Sequence, residues 1–163
     1  MLIAIDPGTW ESGVVRLSAA GIASAEQVEN EELLSELHFS PHATEVVIEM
    51  LHPQGRTNIG RETFETLVWV GRFMQAASHC RVTRIRRDDL RYHWCQDASA
   101  NDAAVRQAVL DHFGDKSVAI GTKANPGPLY GVKSHCWQAL ALGVAFQRGC
   151  RSKVVFENPK QAS

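Results

Sequence analysis

The strongest constraint on the fold of this chain is a short apolar run that ends on a single carboxylate. Residues 2–6 read Leu-Ile-Ala-Ile-Asp and run directly into a proline–glycine pair. Residues 46–48 read Val-Val-Ile and end in the same way on Glu49, shortly before a histidine–proline pair. Apolar runs of this length, bounded by turn residues, are typical of strands that are buried on both faces of a sheet. The sequence therefore predicts that Asp6 and Glu49 lie at neighbouring strand ends on one rim of a sheet.

Two acidic side chains on one rim have a chemical consequence. Like charges that are held close together repel, so such a pair is unstable unless a positive group lies between them. A divalent cation is a common solution, because its charge removes the repulsion and carboxylate oxygens are suitable ligands. Asp6 and Glu49 are therefore the first candidates for a metal site.

The chain has 163 residues, a formal net charge of -1 and a hydrophobic fraction of 44%. This length and composition are typical of one globular domain with one core. We expect that domain to span residues 1–150, and we expect the polar stretch 151–163 to form a flexible tail. The near-neutral net charge does not indicate a nucleic-acid binder, although the local charge of a surface matters more than the total.

The sequence also bears on localisation. No apolar stretch approaches the roughly 18 residues that a membrane span needs, and the N-terminus lacks the basic region of a signal peptide. The four cysteines form no CxxC pair, which favours free thiols in a reducing compartment. We therefore expect a cytoplasmic protein that has no membrane partner.

A basic segment lies in the middle of the chain. Residues 81–91 contain five arginines and two aspartates, which gives a local charge of +3. Two interpretations stay open. The segment is either a surface that contacts phosphates or a solvated strand face followed by a turn.

Hydrophobic periodicity predicts a mixed α/β pattern, in which three strands precede alternating helices and strands. Asn30 is expected to cap the first helix, and Asn101 or Asp102 the third. The predicted strands are 2–6, 12–18, 22–29, 45–50 and 81–86, and the predicted helices are 31–38, 62–77, 101–113 and 132–147, with a loop at 121–131.

The last predicted helix carries two polar residues near its start. His135 and Gln138 are three positions apart, so they share one face of the helix. Trp137 and the small and aliphatic residues that follow are expected to pack on the sheet. This arrangement would point His135 and Gln138 at the rim that carries Asp6 and Glu49.

Three motifs in this order resemble those of a known family. They are Ile5-Asp6-Pro7-Gly8-Thr9 with Gly13, then Val47-Ile48-Glu49, then His135-Cys136-Trp137-Gln138-Ala139-Leu140-Ala141. Their order, spacing and placement at strand ends resemble the RuvC-type Holliday junction resolvases of the ribonuclease H-like superfamily, and most of all the short versions carried by phages and prophages. The resemblance covers nearly the whole chain.

The resemblance implies a fold and an activity. The fold would be α/β and ribonuclease H-like, with a mixed five-stranded sheet flanked by helices. The chain would be a structure-selective endodeoxyribonuclease that nicks four-way (Holliday) junctions and depends on Mg²⁺, with Mn²⁺ as a substitute. Its partner would be branched DNA. It would act as a homodimer in a bacterial or phage-infected cell, with helix 62–77 as the dimer contact and Trp69 and Phe73 as candidates for that contact or for the core.

The resemblance also assigns catalytic residues. Asp6 would be the central metal ligand, Glu49 the second ligand, and His135 the first member of a pair on the last helix. Gln138 stands at the second position of that pair, where the family more often has aspartate, and its amide oxygen binds a hard cation more weakly than a carboxylate does. Asp102 is a candidate replacement ligand. His135 would ligate the metal, act as a general base or contact the phosphate.

Two segments are candidates for DNA contacts. His52 stands where members of this family place an aromatic wedge, and Arg56 and Arg61 follow it in the same polar stretch. Lys123 and Lys133 flank the loop before the last helix and could bind phosphates. A plain connecting loop and two exposed lysines are the structural alternatives.

Other functions stay open beside the resolvase. Gln138 is compatible with a nuclease-like DNA-binding module whose catalysis is impaired. A ribonuclease H that acts on RNA–DNA hybrids shares the same superfamily. The stretch from Asp6 to Gly13 also resembles the first phosphate loop of actin-like nucleotide-binding folds, which need a far longer chain and rank last.

Overall fold

The computed structural model describes residues 1–51 and 60–152. Its strands are β1 (Leu2–Asp6), β2 (Glu11–Ser18), β3 (Gly21–Glu29), β4 (Glu45–Met50) and β5 (Arg81–Arg86). Its helices are α1 (Asn30–His38), α2 (Arg61–Ala76), α3 (Arg87–Cys95), α4 (Asp102–Phe113), α5 (Lys116–Ala119) and α6 (Cys136–Gln147). The predicted strands and helices are all present, and α3 and α5 are additional.

The strands form one mixed sheet in the order β3-β2-β1-β4-β5. β1 pairs antiparallel with β2, and β2 with β3, whereas β4 runs parallel to β1 and β5 runs parallel to β4. Parallel neighbours need a crossover connection, and the chain passes through a helix before each of them. β1 is therefore the central strand, and the prediction of a mixed five-stranded sheet flanked by helices is confirmed.

The stretches 2–5 of β1 and 46–48 of β4 are apolar at every position because helices cover both faces of the sheet. On one face, Ile3 and Ile5 pack with α1 and α2 around Phe73, which is completely buried. On the other face, Ala4 and Val15 pack against α6. Phe73 therefore belongs to the core and is not available for a dimer contact.

Helix α6 lies directly on the sheet and buries ten of its 12 residues, among them Trp137. Gly143 allows this close approach, because an added Cβ would lie 2.7 Å from Leu17 Cδ1 and 3.0 Å from the Ala4 Cβ. Burial on nearly all sides explains why the helix is apolar around its whole circumference after its first turn.

Two of the predicted helix starts are wrong. α6 begins at Cys136 rather than at residue 132, because Gly131 and Ser134 adopt positive φ angles of 87° and 46°, which a right-handed helix does not contain. Asn30 is the first residue of α1 rather than its cap. Its side chain turns inward and binds the loop after β1.

Helix α3 follows β5 without a break, so the basic segment 81–91 forms the whole of β5 and the start of α3 rather than a strand and a turn. The sequence does not predict this helix, because its nine residues are mostly polar and Leu90 is the residue that it buries. Trp94 anchors α3 by donating from Nε1 to the carbonyl oxygen of Ala141 at 3.1 Å.

Some expectations lie beyond what the structure describes. His52, Arg56 and residues 153–163 of the expected tail are outside the described residues, and the domain boundary at residue 150 stays a prediction. Within the described ranges, no helix combines the length and the apolar character that a membrane crossing requires.

Candidate functional site

Asp6 and Glu49 lie side by side where β1 and β4 end. The two strands are parallel and pair Ile5 with Ile48, so the next residue of each strand is an acid. Both acids are buried, with 5% of Asp6 and 1% of Glu49 exposed. The sheet thus brings together the two carboxylates that the sequence places on one rim.

The surroundings of Asp6, including Glu49, affect the protonation of its carboxyl group. Burial raises the pKa of the Asp6 carboxyl well above its usual range, and the charge of Glu49 and a hydrogen bond with it raise this pKa further. Arg87 opposes the rise, whereas Asp102 adds to it. In the absence of another cation, Asp6 therefore holds a proton far more readily than an exposed aspartate does.

Arg87 fills the gap between the two acids from the first position of α3. Its Nε donates to Glu49 Oε1 at 2.6 Å, and its Nη2 donates to Glu49 Oε2 at 3.2 Å. The same Nη2 lies 3.7 Å from Asp6 Oδ1. One guanidinium therefore binds both oxygens of Glu49 and reaches Asp6 as well.

Arg87 is absent from the predicted site residues, because the relationship that places it at the site appears only in the assembled sheet. Arg87 directly follows β5, β5 is parallel to β4, and the carboxyl ends of parallel strands share one rim. The neighbouring arginines are also paired, Arg86 with Asp89 at 2.8 Å and Arg91 with Asp102 at 3.2 Å. This half of the basic segment binds acids of the chain itself.

His135 reaches the same rim from the start of α6. Its Nδ1 lies 3.6 Å from Asp6 Oδ2, whereas the Arg87 contact is with Oδ1, and 67% of the His135 side chain is exposed. Ser134 precedes it in the left-handed region with a φ of 46°. A non-glycine residue rarely adopts this conformation, and such strain is often found at functional sites.

Gln138 and Asp102 border the cleft into which Asp6 and His135 open. Gln138 is half-buried on α6, and Asp102 is exposed at the first position of α4. Glu49 is buried and does not line the cleft, whereas its partner Arg87 does. The structure therefore brings the predicted catalytic and metal-binding candidates into one neighbourhood.

A buried polar network holds the loop between β1 and β2. Ser12 Oγ donates to Asn30 Oδ1 at 2.7 Å, Asn30 Nδ2 donates to the carbonyl oxygen of Gly8 at 3.0 Å, and Gly8 N donates to Ser12 Oγ at 3.3 Å. The side chains of Ser12 and Asn30 thus satisfy each other without water. The loop presents Trp10, which is 85% exposed, at the mouth of the cleft.

The cleft has a volume of about 800 Å³ and an acidic wall. Among the described residues, the acidic ones that line it besides Asp6 and Asp102 are Glu11, Glu29, Glu31 and Glu62. The described basic side chains that line it are Arg87 and His135. A cleft with this balance attracts cations and, without them, repels a phosphate backbone.

The donor chemistry of the cleft fits one hard divalent cation. Mg²⁺ prefers oxygen ligands and keeps several waters, so one or two carboxylates are enough to hold it. Asp6 would be the main ligand, with His135, Gln138 and Asp102 bordering the same space, whereas both oxygens of Glu49 already bind Arg87. Among the described residues, no three His, Cys, Asp or Glu side chains form a ready metal cluster.

Three of the five predicted DNA-binding residues are described. Arg61 begins α2 with 91% of its side chain exposed, and its Nε lies 3.8 Å from Glu65 Oε1. Lys123 and Lys133 are exposed, and neither of them is among the described residues that border the cleft. His52 is not described, so the predicted wedge position stays a prediction.

No protein-family model and no curated protein matches this chain, but solved structures do. A structure of Thermus thermophilus RuvC matches with a TM-score of 0.59 and 19% identity over 91% of this chain and 96% of that chain. A structure of T. thermophilus RuvC in complex with a Holliday junction substrate matches with a TM-score of 0.54 and 20% identity over 88% and 90% of the two chains. These likenesses show a RuvC-like fold and confirm the predicted ribonuclease H-like α/β architecture.

Proposed function

We propose that this chain is a divalent-metal-dependent endodeoxyribonuclease that nicks four-way DNA junctions. The observation that carries the proposal is the acidic cleft at the sheet rim, where Asp6 Oδ2 and His135 Nδ1 are 3.6 Å apart. The RuvC-like fold places this cleft at the carboxyl end of the central strand. A matched structure of the same fold is a complex with a Holliday junction substrate, which supports junction DNA as the substrate class.

Asp6 and His135 would hold the Mg²⁺ or Mn²⁺ ion, with Gln138 and Asp102 as further donors. When bound, such an ion polarises the phosphodiester and makes a water molecule a stronger nucleophile. Nitrogen donors favour Mn²⁺ over Mg²⁺, so His135 supports Mn²⁺ as an effective substitute. Glu49 takes part in the site by binding and orienting Arg87.

Where His135 does not ligate the ion, it is the proton acceptor in this proposal. Its Nδ1 lies 3.6 Å from Asp6 Oδ2, and an imidazole that carries its proton on Nδ1 has Nε2 able to accept a proton. The exposed ring is accessible to water in the cleft. General bases of this kind accelerate reactions by about 10²–10⁴-fold.

DNA contacts and dimer formation complete the proposal. His52, Arg56, Arg61, Lys123 and Lys133 are the proposed phosphate and base contacts. A four-way junction needs two opposed nicks, which a symmetric homodimer supplies. We assign the dimer contact to α2, whose Phe64 and Val68 are each 58% exposed. An enzyme with this substrate would act in the cytoplasm.

A DNA-binding module with impaired catalysis is the second candidate. Two observations favour it, namely the engagement of both Glu49 oxygens by Arg87 and the amide of Gln138 in the cleft. Tight junction binding without nicking at any metal concentration would identify this function.

A cleavage assay on defined substrates tests the proposal. The substrates are a synthetic four-way junction, a flap, a linear duplex and an RNA–DNA hybrid, each with Mg²⁺, Mn²⁺ or a chelator. We expect opposed nicks in the junction with metal and none with chelator, and Asp6→Asn should bind the junction without cutting it. Cleavage of the hybrid alone, or an Asp6→Asn variant that cuts like the parent, would contradict the proposal.

A further inference from the structure

Arg87 lies at a position where the local structure does not favour a positive charge. It is the first residue of α3, and a helix N-terminus carries a partial positive charge that disfavours cations. The side chain also lies on a rim whose acids are buried. A residue that breaks a local rule in this way is usually retained for an interaction elsewhere, here its contacts with the acids.

The contact with Glu49 is strong and specific. The Glu49 side chain is 2% exposed, and each of its oxygens accepts one hydrogen bond from Arg87, at 2.6 and 3.2 Å. A carboxylate this deeply buried is costly unless it is paired. The paired geometry shows that the guanidinium is part of the folded rim rather than a surface group that happens to lie nearby.

The position of the guanidinium is that of a cation shared by the two carboxylates. Nη2 bonds to Glu49 and lies 3.7 Å from Asp6 Oδ1. With both acids ionised, Arg87 reduces their combined charge from two negative charges to one. One divalent ion at Asp6 more than offsets the negative charge that is left, whereas a second ion at Glu49 would have to displace the guanidinium.

We propose that Arg87 is a tethered cation that takes the place of a second metal ion, so that the site of this chain binds one divalent ion. This inference rests on the proposed function. In phosphodiester hydrolysis by two metal ions, the two positive centres stabilise the attacking and the leaving oxygens. Among the described residues, Glu49 and Asp6 contact Nε and Nη2 of Arg87. Nη1 can therefore donate to a phosphate oxygen and act as the second positive centre.

The number of bound ions tests this inference without DNA. Metal-free protein is titrated with Mn²⁺, and free Mn²⁺ is followed by electron paramagnetic resonance. The parent should bind one ion per chain. Arg87→Gln should bind two, with the second ion held about tenfold or more tightly than any second ion in the parent, the usual effect of one unit charge at this range. Arg84→Gln is the matched control, because it removes the same charge from an exposed position of β5, and it should bind one ion.

Circular dichroism first establishes that each variant is folded. If Arg87→Gln is unfolded, Arg87→Met enters the same titration, because it keeps a long apolar stem beside Glu49 without the charge. Arg87→Lys keeps the charge and should bind one ion. Two ions in the parent, or one ion in the folded Arg87→Gln and Arg87→Met variants, would overturn the inference.

The result of the Mn²⁺ titration can be distinguished from the result of the nicking assay that tests the proposed function. A parent that nicks junctions and binds two ions would retain the function and reject the role of Arg87. A parent that binds one ion, gains a second in Arg87→Gln and nicks no DNA would support the role of Arg87 in ion binding and reject the proposed activity.

Discussion

Gly13 and His135 are in direct backbone contact across the candidate site. A Cβ added to Gly13 would lie 2.6 Å from the carbonyl oxygen of His135 and 3.1 Å from the His135 Cβ. Gly13 is also the register partner of Asp6 in the β1–β2 pair. The absence of a side chain on one strand therefore sets how closely the start of α6 approaches the central acid.

Gly13→Ala should push His135 away from Asp6. The added methyl meets backbone rather than a flexible side chain, so the start of α6 must shift, at a cost of about 1–3 kcal/mol in the free energy of unfolding. Misplacing a catalytic group by about 1 Å lowers the rate by roughly 10²-fold. The junction-nicking rate and the thermal unfolding midpoint together measure this effect.

Gly71→Ala is the matched control for that variant. Gly71 lies within α2, and an added Cβ there has nothing within 4 Å. This substitution should stabilise the helix by up to about 1 kcal/mol, so the unfolding midpoint separates the steric effect at Gly13 from the effect of adding a methyl group in open space. Equal nicking rates for Gly13→Ala and the parent would show that the position of His135 does not matter.

Asp6→Asn should stabilise the metal-free protein at neutral pH by about 1 kcal/mol or more. Burial, together with the charge of Glu49, raises the pKa of Asp6 above that of the unfolded chain. Between those two pKa values the folded state binds more protons than the unfolded state, so the stability of the parent falls as pH rises through this window. The gain from asparagine should therefore be largest above the raised pKa of Asp6 and shrink as pH falls towards about 4.

Urea unfolding with chelator, measured from pH 4 to pH 8, checks this prediction. Asp102→Asn is a useful comparison, because it removes one negative charge at an exposed edge of the same cleft. It should give little or no gain, because it also weakens the ion pair between Asp102 and Arg91. An Asp6→Asn variant that is less stable than the parent at pH 7 would show that the ionised carboxylate is favourable in the fold.

Gln138→Asp should lower the metal concentration that gives half-maximal nicking. Gln138 borders the cleft with a neutral amide, and a carboxylate there adds a negative charge and a stronger ligand for a hard cation. The expected decrease is about tenfold. Metal titrations of nicking with Mg²⁺ and Mn²⁺ measure it.

His135→Ala should lose most of the activity and little stability, because the side chain is 67% exposed and supports no core. The parent should work better with Mn²⁺ than with Mg²⁺, and this preference should weaken in the variant if His135 is a ligand. Identical metal titrations for the parent, His135→Ala and Gln138→Asp would exclude the start of α6 from the metal site.

Junction binding should weaken steeply as salt is added. Lysine and arginine contacts release counterions from DNA, and each phosphate contact contributes about 0.9 to the slope of log K against log salt concentration. Replacing Arg56 and Arg61 together by alanine should lower that slope by about 2. Arg148→Ala at the far end of α6 is the control. A slope that is unchanged in the double variant would remove these two arginines from the DNA-binding surface.

The acids of the site could be predicted because local sequence determines them. Each ends an apolar run, and parallel strands carry such ends to the same rim. Arg87 could not be predicted in the same way, because its place depends on β5 lying next to β4, and the order of strands is a property of the whole sheet. Its helix, α3, lacks the apolar periodicity by which helices are recognised.

The start of α6 was predicted four residues too early for a similar reason. Lys133 and Ser134 have no residue type that forbids a helix, and the turn there depends on Ser134 adopting a φ of 46°. His135, the next residue, packs against Gly13 on a strand at the other end of the chain. A contact between residues so far apart in the sequence does not affect local helix propensity.

The packing of α6 on β1 has a consequence for how the protein folds during its synthesis. Asp6 is synthesised long before His135, because the two residues stand far apart in the sequence. A nascent chain that stops before Cys136 lacks the helix that covers one face of β1, so this face of the strand stays uncovered until α6 has been synthesised. The complete cleft, with His135 and Gln138 beside Asp6, therefore forms only after α6 has packed on the sheet.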